Sequence, residues 1–178
     1  MKIFLHNKDL FDIHEADTIA LPVDGLRPGL EGSVAHQLLR RVGADSLSDV
    51  YVEQPDYPFN GRSHWSALEA QPEVEFDWLC ALGTGIRSSS GIGLNEPADR
   101  PDQKQLARLV LADMFRVAET GTVGQRIACP LLSGGGRIRS IDAAYLMLDE
   151  ASRYGHDLEL HIGERDRDTF EMLRPIIR

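Results

Sequence analysis

Short apolar runs alternate with longer amphipathic stretches along this chain. Residues 18–23 (TIALPV), 78–82 (WLCAL) and 127–132 (IACPLL) are continuous apolar segments of strand length, as expected for strands covered on both faces. Residues 3–5 predict a first or edge strand, and a further short strand is expected around 64–68. Leu158, Leu160 and Ile162 alternate with polar residues and predict another. Helical spacing lies between these runs. Val34, Leu38 and Leu39 give an apolar stripe over 33–42, with Ser33 as the expected N-cap and Gly43 as the stop. Leu106, Leu109, Val110, Met114, Phe115 and Val117 predict an amphipathic helix that ends by Gly121, with Pro101 suited to its first turn. Ala143, Ala144, Leu146, Met147 and Ala151 predict a helix capped by Ser140 and closed by Gly155. Asp166 or Asp168 opens a last helix near 169–173. Pro55, Pro58 and Pro72 break residues 44–76 into short pieces, and 87–100 is the longest loop-like stretch. Strands alternating with helices predict an α/β fold with a largely parallel or mixed sheet, in one domain spanning 1–178.

Composition narrows the function. A chain of 178 residues can bury a core without disulfides. Its net charge of -9 argues against broad nucleic-acid binding, which needs a basic face. The charge leaves room for a small anionic ligand held by backbone N–H groups. Cys80 and Cys129 lie in apolar runs and read as buried, reduced thiols. They have no supporting histidine spacing, and the histidines show no paired ligand spacing among themselves, so no metal or cofactor is expected. No segment has signal-peptide character or approaches the roughly 18 apolar residues of a membrane span. A cytoplasmic protein without a membrane partner is expected.

Two loops stand out. The run 127–132 leads into Ser133, Gly134, Gly135 and Gly136 and then a helix. Consecutive glycines let backbone approach a ligand and let N–H groups converge on phosphate oxygens. The helix that follows adds a favourable dipole. The strand at 18–23 is likewise followed by Gly25, Gly29, Gly32 and a helix, so two loops can flank one ligand. Either loop alone is equally readable as a plain surface connection. Arg137 and Arg139 flank the second loop, as phosphate contacts or as solvated side chains. Gly83-Thr84-Gly85 is a partial dinucleotide fingerprint without its third glycine or its helix. A nucleophile elbow would need glycine where Leu131 stands, two residues before Ser133.

With both loops in place, the chain resembles the macro domain family. Residues 16–25 (ADTIALPVDG) sit where the family has its strand DAIVNAAN and are similar to it. Residues 32–35 (GSVA) resemble the end of its GGGVA loop, and 127–135 (IACPLLSGG) its IAFPAISTG strand and diphosphate loop. The resemblance implies a three-layer α/β/α fold with a central mixed sheet, and ADP-ribose or a relative as ligand. It implies that Gly32, Ser33 and Val34 on one side, and Ser133, Gly134, Gly135, Gly136 and Arg137 on the other, hold the diphosphate. Asp12, in LFDI, is similar to the aspartate of GDI that bonds adenine. The family strand's asparagines are replaced by Leu21 and Asp24. Asp24 falls beside the distal ribose, where a carboxylate can accept from hydroxyls or position a water. Glu31 interrupts the first loop and would repel phosphate. Three readings stay open: an ADP-ribose-binding domain, a hydrolase that removes ADP-ribose from a modified protein or metabolite with Asp24 as its catalytic residue, and an interaction module without ligand. The implied partners are an ADP-ribose-like small molecule and an ADP-ribosylated protein.

Overall fold

The computed structural model describes residues 1–26, 32–43, 56, 58–68, 74–84, 102–133 and 138–177. Among these, the strands are β1 (Lys2–His6), β2 (Thr18–Val23), β3 (Ser63–Ala67), β4 (Trp78–Gly83), β5 (Arg126–Pro130) and β6 (Glu159–Gly163). The helices are α1 (Ser33–Val42), α2 (Gln103–Ala118), α3 (Ser140–Ala151) and α4 (Arg167–Leu173), with a short 3-10 turn at Leu10–Asp12. The strands form one six-stranded mixed sheet in the order β1-β6-β5-β2-β4-β3. All pairs are parallel except β3–β4.

The apolar runs are continuous because both faces of the sheet are covered. Successive side chains go to opposite sides. Ala20, Cys80, Leu82, Ile127, Cys129, Leu160 and Ile162 pack with α2, α3 and Leu173 of α4. Ile19, Leu21, Val23, Leu79, Ala81 and Ala128 pack with Ala35 and Leu38 of α1 and with Leu10, Phe11 and Ile13. The result is the expected three-layer α/β/α arrangement.

Several boundaries differ from the sequence reading. Neither Ser33 nor Ser140 is an N-cap. Each is the first helical residue, the caps are Gly32 and Arg139, and neither helix has a side-chain cap bond. α2 and α4 are capped by aspartates instead: Asp102 accepts the Gln105 N–H at 2.7 Å, and Asp166 the Thr169 N–H at 2.8 Å. The Asp102 cap puts the first turn of α2 beyond Pro101. β5 ends at Pro130 rather than 132, because proline brings no N–H to extend the ladder. His161 alternates with apolar neighbours on β6 yet is buried, since Phe4 and His6 of β1 stack over it. Gly83 closes β4, and Gly85 of the partial dinucleotide fingerprint lies outside the described residues. A Cβ on Gly83 would lie 2.6 Å from the Phe59 carbonyl oxygen, so backbone packing accounts for this glycine.

Candidate functional site

The sheet has a topological switch point. After β2 the chain enters α1 on one face, and after β5 it enters α3 on the other. β2 and β5 are neighbours, and their ladder stops at Ile19↔Ala128 although β2 runs on to Val23. Two parallel strands whose helices leave toward opposite faces open a crevice at their carboxyl ends, the usual ligand position in open α/β sheets.

A cleft of about 270 Å³ lies at this end of the sheet. Pro130, Leu131 and Ser133 at the exit of β5 form one side, and Val34 and Gln37 of α1 another. Gly163, Glu164 and Arg165 at the exit of β6, with Asp9, Leu10 and Phe11 after β1, complete it. The local sequence explains the close approach of these segments. A Cβ on Gly163 would sit 3.2 Å from the Leu10 Cα, so glycine lets the 3-10 turn lie against the end of β6.

One carboxylate organises the rim. Asp9 Oδ1 accepts the Phe11 N–H at 3.2 Å, capping the 3-10 turn. Its oxygens lie 3.6 Å from Arg41 and 3.4 Å from Arg165. The Arg41 guanidinium also lies over the Phe11 ring, 4.7 Å from its centroid. The rim therefore carries carboxylate acceptors and guanidinium donors above an apolar floor of Leu10, Phe11, Val34 and Leu131.

The structure brings together Val34 and Ser133, one from each strand–loop–helix unit. Gly32 and Ser33 open α1 beside Val34. Gly134, Gly135, Gly136 and Arg137 lie outside the described residues, as do Gly29 and Glu31. Asp12 closes the 3-10 turn with an exposed carboxylate 3.9 Å from Arg41, and it is not part of the described cleft lining. Asp24 is not part of it either. Its carboxylate accepts the Leu26 N–H at 3.1 Å, which holds the turn after β2. Arg139 pairs with Asp142 through two 3.0 Å hydrogen bonds. Asp9, Phe11 and Gln37 were not singled out from sequence, and Glu164 and Arg165 belong to a charged run, 164–168, whose composition reads as a solvated turn and helix cap. The available signal was Gly163, at the carboxyl end of a buried strand and followed by charged residues.

The uncapped helices are the two that follow the predicted loops. α1 has neither a side-chain cap bond nor an acidic residue in its first turn. α3 has Asp142 there, paired with Arg139 and Lys104. Among the described residues, then, no cap side chain or first-turn acid neutralises the positive end of α1 beside the cleft. Burial pushes the Cys80 and Cys129 thiols well above their ordinary range, so neither is a thiolate at neutral pH. Among the described residues, no group of three or more His, Cys, Asp or Glu side chains is arranged to hold a metal. No helix among them is long and apolar enough to cross a membrane.

The layers, the mixed sheet and the switch-point cleft define the chain as a three-layer α/β/α protein of the macrodomain fold. No family model matches the sequence, and no curated protein matches it. Solved structures match over nearly the whole chain. The macrodomain of Mycobacterium tuberculosis DarG superposes with a TM-score of 0.64 at 15% identity, covering 92% of this chain and 98% of that one. A Trypanosoma brucei macrodomain in complex with ADP-ribose gives 0.66 at 13% identity, over 99% and 69%. An alphavirus P23pro-zbd structure also gives 0.66 at 14% identity, covering 99% of this chain, which spans 23% of that longer one.

Proposed function

We propose that this chain binds ADP-ribose, or a related nucleotide diphosphate, in the cleft at the ends of β5 and β6. The observation that carries the reading is that Val34 and Ser133 line one cleft. They come from the two strand–loop–helix units that the sequence pairs as diphosphate loops. The uncapped, acid-free first turn of α1 supplies N–H donors for phosphate oxygens. The apolar floor suits a flat base, and the Asp9 and Glu164 carboxylates suit its amino group. The Trypanosoma brucei macrodomain of the same fold is complexed with ADP-ribose.

Binding is preferred to hydrolysis because Asp24, the residue the hydrolase reading needs, is not in the described lining of the cleft. Calorimetric titration with ADP-ribose, and with ADP, AMP and NAD as comparators, tests the reading. Saturable binding in the micromolar range, about -8 kcal/mol, is expected for ADP-ribose. Absence of heat with all of them would overturn it in favour of a ligand-free interaction module. Release of ADP-ribose from a modified protein, lost in Asp24→Ala while binding persists, would instead establish the hydrolase.

A further inference from the structure

β1 and β6 are zipped on one face by a row of polar and aromatic side chains. Lys2 bonds Glu159 at 2.8 Å, Phe4 stacks on His161, and His6 Nε2 meets His161 Nδ1 at 3.0 Å. The two imidazoles are stacked, with centroids 5.2 Å apart. His161 is 3% exposed. Its Nε2 faces the Glu159 carboxylate at 3.6 Å, too long for a hydrogen bond but favourable for a proton on that nitrogen. The His161 Nδ1 is then the acceptor, and His6 Nε2–H donates to it.

This bond tolerates one extra proton and not two. With one ring charged, an N–H still points at a lone pair. With both charged, N–H opposes N–H and two cations stand about one hydrogen-bond length apart, one of them buried and the other half-buried.

The pair is joined to the cleft by backbone. His6 is in register with Gly163, and its carbonyl accepts the Glu164 N–H at 3.0 Å. The next residue, Asn7, donates from its side chain to the Glu164 carbonyl at 3.0 Å and the Arg165 carbonyl at 3.4 Å. Glu164 and Arg165 are the β6 wall of the cleft.

We propose that the His6–His161 pair is an acid-operated latch on this wall: double protonation parts the ends of β1 and β6 and displaces Glu164 and Arg165. That the wall serves a ligand rests on the binding reading above. Charged groups surround the pair on every packed element. They are Lys2 on β1, Glu159 on β6, Arg126 on β5 (itself paired with Asp17), and Lys8 and Glu15 on the segment between β1 and β2. Burial first, then His161, lowers the proton affinity of His6. Burial lowers that of His161 against the pull of Glu159. Both folded values lie below the ordinary histidine value of 6.5. The latch's stabilisation is therefore present above that value and is lost as pH falls through the lowered folded values.

The test is an NMR titration of the full chain without ligand, from about pH 8 to about pH 5. The His6 and His161 ring signals are expected to titrate below 6.5 in two steps, with the Glu164 and Arg165 amides moving at the second, lower midpoint. In His6→Asn those amide movements disappear. Amides that stay still through the second ring titration would overturn the latch in the wild type alone, whether or not the variant folds. Amides that move equally in a folded His6→Asn would overturn it too. Calorimetry then separates the latch from the ligand. ADP-ribose is expected to bind about tenfold more weakly in acid than at neutral pH, within the usual range of coupling between two sites, and His6→Asn to lose that dependence. No binding at neutral pH with the amide coupling intact would overturn the ligand reading and leave the latch standing.

Discussion

Ser33→Asp separates the two jobs given to the start of α1. Ser33 is the first helical residue, exposed, and makes no cap bond. A carboxylate there sits in a first turn with no acidic residue, where the helix dipole favours it by about 0.3–1 kcal/mol. For a chain of this size that raises Tm by about 1–3 °C. A bound diphosphate would feel the same charge as repulsion. At about 6 Å, with an effective dielectric between water and a protein surface, one phosphate charge costs roughly 0.7–2.8 kcal/mol. The central value is about a tenfold rise in Kd for ADP-ribose, and the loss should shrink as salt shortens the screening length. Thermal unfolding and calorimetry on one preparation provide both numbers. Stability rising while affinity falls supports the assignment, and damage to the helix would lower both. An unchanged Kd alongside a raised Tm would refute the placement of phosphate at α1.

Three other substitutions probe the frame and the loops. Asp113 of α2 accepts the Ser63 N–H and Oγ–H, both at 2.8 Å, and the Arg116 guanidinium at 2.6 Å, which ties α2 to edge strand β3. Burial alone would raise its carboxyl, but these donors hold it below the usual 3.8. Asp113→Ala should cost about 2–3 kcal/mol in urea unfolding at neutral pH. The lowered folded value makes that contribution complete above 3.8 and lost as pH falls further, so the gap between wild type and variant should narrow in acid. Gly83→Ala would drive its methyl against the Phe59 carbonyl, a fixed backbone atom, and should cost about 1–3 kcal/mol by the same unfolding assay. Gly135→Glu, in the loop after Ser133, should abolish ADP-ribose binding in calorimetry with Tm within about 2 °C of wild type; normal binding would end the phosphate-loop assignment.

The sheet was legible because burial on both faces writes itself into the sequence as continuous apolar runs. Residues 18–23 became β2 without a shift in either boundary, and 78–82 became β4 with Gly83 added. Helix ends were less legible, because a capping serine and a first-turn serine look alike when the preceding residue is not yet placed. At Asp102 and Asp166 the cap is explicit, a carboxylate on an N–H three residues on. At Ser33 and Ser140 the same composition signal marks helices that start bare. That distinction needs backbone geometry, and it bears on function, since a bare helix start keeps its N–H groups for something other than its own side chains.

The cleft was half legible for a related reason. Its glycine loops are local features, readable wherever strand, glycine and helix follow one another. Its rim is assembled from segments far apart in the chain, Asp9 with Arg41 and Arg165, and no spacing rule joins them. The histidine pair is hidden in the same way. His6 and His161 are separated by almost the whole sequence, and only the parallel register of β1 with β6 puts their rings in contact. Pairing by register also explains why alternation misled at His161. The rule that polar positions face water holds for a strand covered on one side, and β6 is covered on both: Leu160 and Ile162 lie in one core layer, and Phe4 and His6 cover His161 on the other. A polar residue in such a strand must find its partner inside the protein, and the partner it finds here, His6, is in register with Gly163 of the cleft wall.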